Sequence, residues 1–262
     1  MSARPRVALV TGASRGIGRA VATRLAQAGY GVAVAARSES QIGQVADEIG
    51  ARALTLDVGD AGAVEAAIAT VERELGPLSL LINNAGISGD SGYSWEQVPD
   101  RWWQVFEVNV LGTFLCCRAA LPYMRSRGHG RIVNISSNAA FFSLEGGTDA
   151  RISSAYMASK AAVIRFSEAL AAEARPDGVQ VFAISPGTVK SDMTAGIFKA
   201  EWDDEKLWSP PELTADLIEF LDSGALDELS GRYIHAANDD WRALPARIPG
   251  ILAADSHSLR VR

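Results

Sequence analysis

Seven short runs of β-branched and aliphatic residues (7–10, 32–36, 53–56, 78–82, 131–135, 179–184 and 232–234) recur along the 262-residue chain, and helical apolar stripes fill several of the gaps between them. Ile17, Val21 and Leu25 repeat at helical spacing, and Gly29 stands where that helix would stop. Ile42, Val45, Ala46 and Ile49 form a second stripe, and Val64, Ala67, Ile68, Val71 and Leu75 a third. The strand-like runs do not alternate cleanly between apolar and polar, so both of their faces should be buried. That predicts an α/β fold: a parallel sheet covered by helices on both sides. Right-handed crossovers then give a Rossmann-like doubly wound sheet. No linker divides the chain, which predicts one domain over 1–262.

Two stretches break the rhythm, 141–153 and 186–211, and long irregular segments in a compact domain tend to be functional loops. The second carries Met193, Phe198, Trp202 and Trp208, which predicts a lid over an apolar or aromatic substrate. The net charge of −6 leaves no basic footprint for nucleic acid. No apolar run comes near the ~20 residues that cross a bilayer. Residues 1–6 lead into the first run without a secretory-signal layout, so a cytoplasmic protein is expected. Cys116 and Cys117 are adjacent within a helical pattern and read as small core residues. His129, His235 and His257 have no metal-ligand spacing, so no metal site is expected.

Chemistry is expected first between the first run and the first stripe, where Gly12, Ser14, Arg15, Gly16, Ile17 and Gly18 fall within the segment 11–18. Glycines there let the backbone turn tightly and approach a pyrophosphate, and the helix start supplies free N–H groups and a positive dipole end. An NAD-preferring protein of this type places an acid at the end of the second strand. Here that place is Ala36, followed by Arg37 and Ser38. With Arg15, these residues predict a 2′-phosphate site, hence NADP(H) over NAD(H). Asp57 and Val58 follow the third run, where Asp57 either meets an adenine amino group or caps a helix. Asn83, Asn84, Ala85 and Gly86 follow the fourth. The small residues permit close approach to adenosine, while Asn83 reads equally as a strand pin or a cofactor contact.

Tyr156 and Lys160 lie four positions apart, one helical turn on a shared face. A phenol titrates near 10 and needs a nearby cation to act as an acid/base around neutrality. Ser136 and Ser137 end the strand upstream, and Asn109 lies on a preceding helix. They offer hydroxyl and amide groups for a carbonyl oxygen and a relay water.

Taken together, segment 11–18, Asn83 to Gly86, Asn109, Ser137, Tyr156 to Lys160 and Pro186 to Val189 make the chain resemble the short-chain dehydrogenase/reductase family, in its single-domain branch. The resemblance implies a sheet of about seven strands and hydride transfer between nicotinamide C4 and a carbonyl or secondary alcohol. It implies Tyr156 as acid/base, Ser137 orienting the substrate oxygen, Lys160 lowering the tyrosine pKa and binding ribose, and Asn109 holding a relay water. Pro186, Gly187, Val189 and Ser191 would contact the cofactor, Val189 through its backbone. A homodimer or homotetramer through the two long central helices and the last strand is also implied. Two features depart from the family. Ser137 and Tyr156 are nineteen positions apart, longer than the compact pattern, with the extra residues around 145–151. The tail over 238–262 is also longer. An NAD-linked dehydrogenase working oxidatively and a non-catalytic nucleotide-binding protein are the alternatives, and the substrate is left open, since these motifs serve many substrate classes.

Overall fold

A computed structural model describes residues 6–141, 153–195 and 197–260. The expected insertion at 145–151 lies outside them. Seven parallel strands form one sheet in the order β3-β2-β1-β4-β5-β6-β7. They are β1 (Val7–Thr11), β2 (Gly31–Ala36), β3 (Arg52–Thr55), β4 (Leu78–Asn83), β5 (Gly130–Ile135), β6 (Val179–Ser185) and β7 (Tyr233–His235). The order reverses between β1 and β4, and the carboxyl ends of the strands open a crevice at that switch point.

Every residue of β1 is buried, as the absence of alternation requires. Ala8 and Val10 face one core and Val7 and Leu9 the other. The first core is closed by α1 (Gly16–Gln27), α2 (Glu39–Ile49) and α8 (Glu212–Asp222). The second is closed by α3 (Ala61–Glu74), α5 (Gly112–Arg127) and α6 (Ser154–Ala174). Cys116 and Cys117 belong to that second core, and burial pushes the Cys116 thiol up to about 12.

A shorter helix, α4 (Pro99–Phe106), runs through a π-helical turn, Glu107–Leu111, into α5. The turn delivers Asn109 to the sheet's carboxyl edge. The continuous helix Pro99–Arg127 corrects the expectation that no segment matches a bilayer in length, for it is long and apolar enough by both measures. Its inner face, including Leu115, Cys116, Ala120 and Met124, is used by the core.

Short α7 (Asp192–Ala195) lies within the 186–211 segment, and α9 (Ile248–Ala253) within the tail. The tail is packed. Trp241, Leu244, Ile248 and Ile251 are buried in the first core, with the Trp241 ring 5.3 Å from that of Phe220. Arg260 pairs with Glu168 on α6 and with Asp255.

Candidate active site

The loop after β1 is held by one side chain from the loop after β4. The Asn84 amide donates to the carbonyls of Thr11 (2.9 Å) and Gly12 (3.0 Å), while Thr11 Oγ1 accepts from the N–H groups of Asn84 and Ala85. The fit leaves no space for a side chain. A Cβ on Gly12, whose φ is +64°, would lie 2.8 Å from Ala85 Cα, and one on Gly18 would lie 2.5 Å from the Gly12 carbonyl oxygen. Gly12→Ala is therefore expected to cost about 2 kcal/mol or more from the backbone conformation and the clash together. Urea denaturation measures this, and a variant as stable as the parent would contradict the packing described.

Gly16, with φ +56°, has nothing within 4 Å of where a Cβ would be. It borders open space at the start of α1, and the Arg15 side chain makes no cap hydrogen bond there. Free N–H groups facing open space suit a pyrophosphate. From this point a cleft runs one way past Ala36, Arg37, Ser38, Asp57 and Val58. The other way it passes Ala85 and Gly86 to Ser136, Tyr156 and Lys160, with Pro186 and Ser191 on its outer rim. Of the predicted cofactor residues, Gly187 and Val189 lie elsewhere. Gly187 borders a second cavity, and Val189 is buried, its carbonyl accepting from Thr194 Oγ1 at 2.8 Å.

At the ribose end, Arg37 is exposed and pairs with no carboxylate among the described residues. Ser38 caps α2 by accepting from Gln41 N–H. Arg15 reaches across the cleft mouth to Asp192 of α7, 2.6 Å away, with both side chains largely in solvent. Asp57 accepts from Gly59 N–H at 3.0 Å, whereas Asp60 caps α3. Asn83 is a strand pin: its amide donates to Asn134 Oδ1 (2.8 Å) on β5 and to Cys117 Sγ (3.2 Å).

A second cavity, of about 410 Å3, opens beside the first and falls in the ordinary range for small-molecule sites. Tyr156 and Met193 line both. Ser137 lines the second cavity beside Tyr156, its hydroxyl close enough to favour the phenolate. Ser136 is instead buried, donating to the Lys160 carbonyl at 2.9 Å. Lys160 Nζ donates to the Ile135 carbonyl (2.8 Å) and lies 5.6 Å from the centre of the Tyr156 ring. Both donors of the Asn109 amide are used, on the Ile87 carbonyl (3.0 Å) and Ser159 Oγ (2.9 Å), and its oxygen accepts from Ile87 N–H (2.9 Å).

Burial controls the two titrating groups. It pushes the Tyr156 phenol above its ordinary value, against a smaller opposing effect of the Ser137 hydrogen bond. It brings the Lys160 ammonium down to about 8. Desolvation is the largest influence on both groups in the free protein. The consequence for stability has a definite sign. Below pH 8 the ammonium is charged and its burial opposes folding in full. Between about 8 and 10.4 the unfolded chain holds the proton that the folded one has lost, so stability rises with pH. The stability advantage of Lys160→Met over the parent is expected to shrink between pH 8 and 10 in urea titrations. A pH-independent difference would show that ammonium burial carries no such cost.

Part of the aromatic content of the 186–211 segment does not reach the second cavity. Met193 and Phe198 line the second cavity, but Trp202 and Trp208 pack against each other at 5.1 Å. The remaining wall carries hydroxyls and amides, among them Ser88, Asn138, Ser185 and Asn238, with the imidazole of His235. Sequence reasoning missed these residues. The only signal was their position at or just past strand ends.

Three comparisons bear on this geometry. The short chain dehydrogenase family model matches residues 6–202. The short chain dehydrogenase mpl6 of Monascus purpureus is 37% identical over 267 residues, covering 98% of this chain and 88% of that protein. The 3-oxoacyl-[acyl-carrier-protein] reductase FabG of Escherichia coli is 34% identical over 240 residues, covering 88% of this chain and 95% of that protein. Among solved structures, a variant of the actinorhodin polyketide ketoreductase with NADPH superposes with a TM-score of 0.79 at 30% identity, covering 88% of this chain and 95% of that one.

Proposed function

This chain belongs to the short-chain dehydrogenase family and is an NADP(H)-linked oxidoreductase, and from that premise we propose that it reduces a ketone, with Tyr156 as the proton donor. The observation that carries the reading is the place of Tyr156: it lines both cavities, with Ser137 beside it in the second.

The bound dinucleotide supplies the hydride. The protein's own groups do the rest. Ser137 and Tyr156 hydroxyls hold the substrate oxygen, and the phenol gives up its proton as negative charge grows there. A phenol raised by burial stays protonated through neutral pH, which suits reduction. Lys160, anchored by the Ile135 carbonyl, has N–H groups left for the ribose hydroxyls. A relay water near Asn109 has two acceptors with a lone pair to spare, the side-chain Oδ1 and the main-chain carbonyl that accepts from Thr113 Oγ1 at 2.8 Å. Arg37, Ser38 and Arg15 hold the 2′-phosphate, with Arg15 leaving Asp192 to do so. Gly12, Ser14, Gly16, Ile17 and Gly18 frame the pyrophosphate, and Asp57, Val58, Asn84, Ala85 and Gly86 the adenosine. A cytoplasmic homodimer or homotetramer of single-domain subunits completes the proposal.

The test is a panel of ketones and the matching alcohols, followed by nicotinamide absorbance with NADPH, NADH and their oxidised forms. Turnover of ketones with NADPH is expected. Turnover of alcohols with NAD+ alone would favour the oxidative dehydrogenase instead.

A further inference from the structure

One wall of the second cavity is left unused by the chemistry above. His235 closes β7 and Asn238 follows it, while Lys206 comes from the lid segment. Ser185 of β6 is in register with His235, and Ser185 Oγ accepts from the N–H of Asn138, next to Ser137. Ser137 and His235 thus stand two strands apart, about 10 Å between backbones at ordinary strand spacing. Their side chains enter one cavity between those strand ends.

The His235 ring has a fixed tautomer. Nδ1 accepts from two backbone N–H groups, those of Ala237 (3.2 Å) and Asn238 (3.0 Å), so the proton sits on Nε2. Burial also holds the ring neutral by lowering its pKa, against the opposing charge of Asp239. Nε2 lies 3.4 Å from the amide nitrogen of Asn238. Two N–H donors cannot bond each other, but one acceptor placed between them satisfies both. The Lys206 ammonium, which pairs with no carboxylate among the described residues, adds a third donor, and no Asp or Glu lines the cavity.

We propose that His235 and Asn238 form a subsite for a second carbonyl oxygen on the substrate, so that the preferred ketone carries another carbonyl a few bonds from the reacting carbon. The proposal rests on the ketone-reductase reading of the same cavity and adds the residues that select its substrate. These are specificity residues; the proton still comes from Tyr156.

Ethyl acetoacetate and 2-heptanone test it, because they share chain length and differ in the second carbonyl. His235→Asn keeps an acceptor near the Nδ1 position and removes the Nε2 donor, and Asn238→Leu removes the other donor at similar size. Two ratios are measured: kcat/KM with NADPH for the ester over the ketone, and the corresponding ratio of binding constants with NADP+ present, by ligand-observed NMR. Each variant is expected to lower both ratios about tenfold, the value of one well-placed hydrogen bond. Ratios unchanged in both variants would mean that the Asn238 amide oxygen faces Nε2 and the pair is closed on itself, which overturns the subsite. A parent protein that binds the ester no better than the ketone overturns it equally. If the parent binds both compounds but reduces neither, the reductase reading fails while the binding ratio still judges the subsite.

Discussion

Tyr156→Phe is expected to lower kcat for ketone reduction by about 10²- to 10⁴-fold, the contribution of a positioned general acid. The substitution removes one oxygen and keeps the ring, so the contact between the Lys160 ammonium and the ring face survives. Lys160 also keeps its bond to the Ile135 carbonyl. The dinucleotide cleft is lined by many residues that the change does not touch, so the Kd for NADPH should move by no more than about threefold, half the value of a typical hydrogen bond. Single-turnover absorbance and NADPH fluorescence titration measure the two quantities separately. A Phe variant with near-parental kcat would remove Tyr156 from the chemistry. A variant that lost NADPH binding as well would show a damaged cleft and leave the acid to be tested by rescue with Tyr156 restored.

Arg37→Glu is the second large effect, and it acts at the opposite end of the same cleft. Arg37 directly follows Ala36, the strand-end position where a carboxylate would favour the unphosphorylated ribose, and no carboxylate among the described residues competes for it. Arg15, by contrast, is already engaged by Asp192. Arg37 is thus the arginine poised to meet a 2′-phosphate without first breaking an ion pair. Its replacement removes charge-assisted hydrogen bonds of about 1.5–3 kcal/mol and puts a carboxylate beside the phosphate. The ratio of NADPH to NADH affinity is expected to fall by about two to three orders of magnitude, mostly through NADPH. Fluorescence titration with both reduced cofactors reads the ratio, and an unchanged ratio would move the 2′-phosphate away from β2. The effect should weaken as salt is raised, because the site is open to solvent.

Much of this site is legible in the sequence because its signals are local. Gly12 and Gly18 sit where a strand turns into a helix, and the close approach of Ala85 and the Gly12 carbonyl in space explains why glycine is needed at both. Tyr156 and Lys160 share a helical face by spacing alone. The strand runs lack alternation because both cores need them, and that already implies a parallel, doubly covered sheet.

What the sequence by itself determined is the seven strands, the first three helices, the glycine turn after the first strand and the Tyr/Lys pair, all of which follow from contacts within a few residues along the chain. Only the tertiary structure decided the protonation balance of Tyr156 and Lys160, the commitment of the Asn109 amide, the Arg15–Asp192 contact, the packed tail and the tautomer of His235. The physical reason is that desolvation and hydrogen-bond competition depend on neighbours far apart in the chain, such as Ile87 with Asn109 or Ile135 with Lys160. Spacing along the chain carries no record of which groups lose their water together.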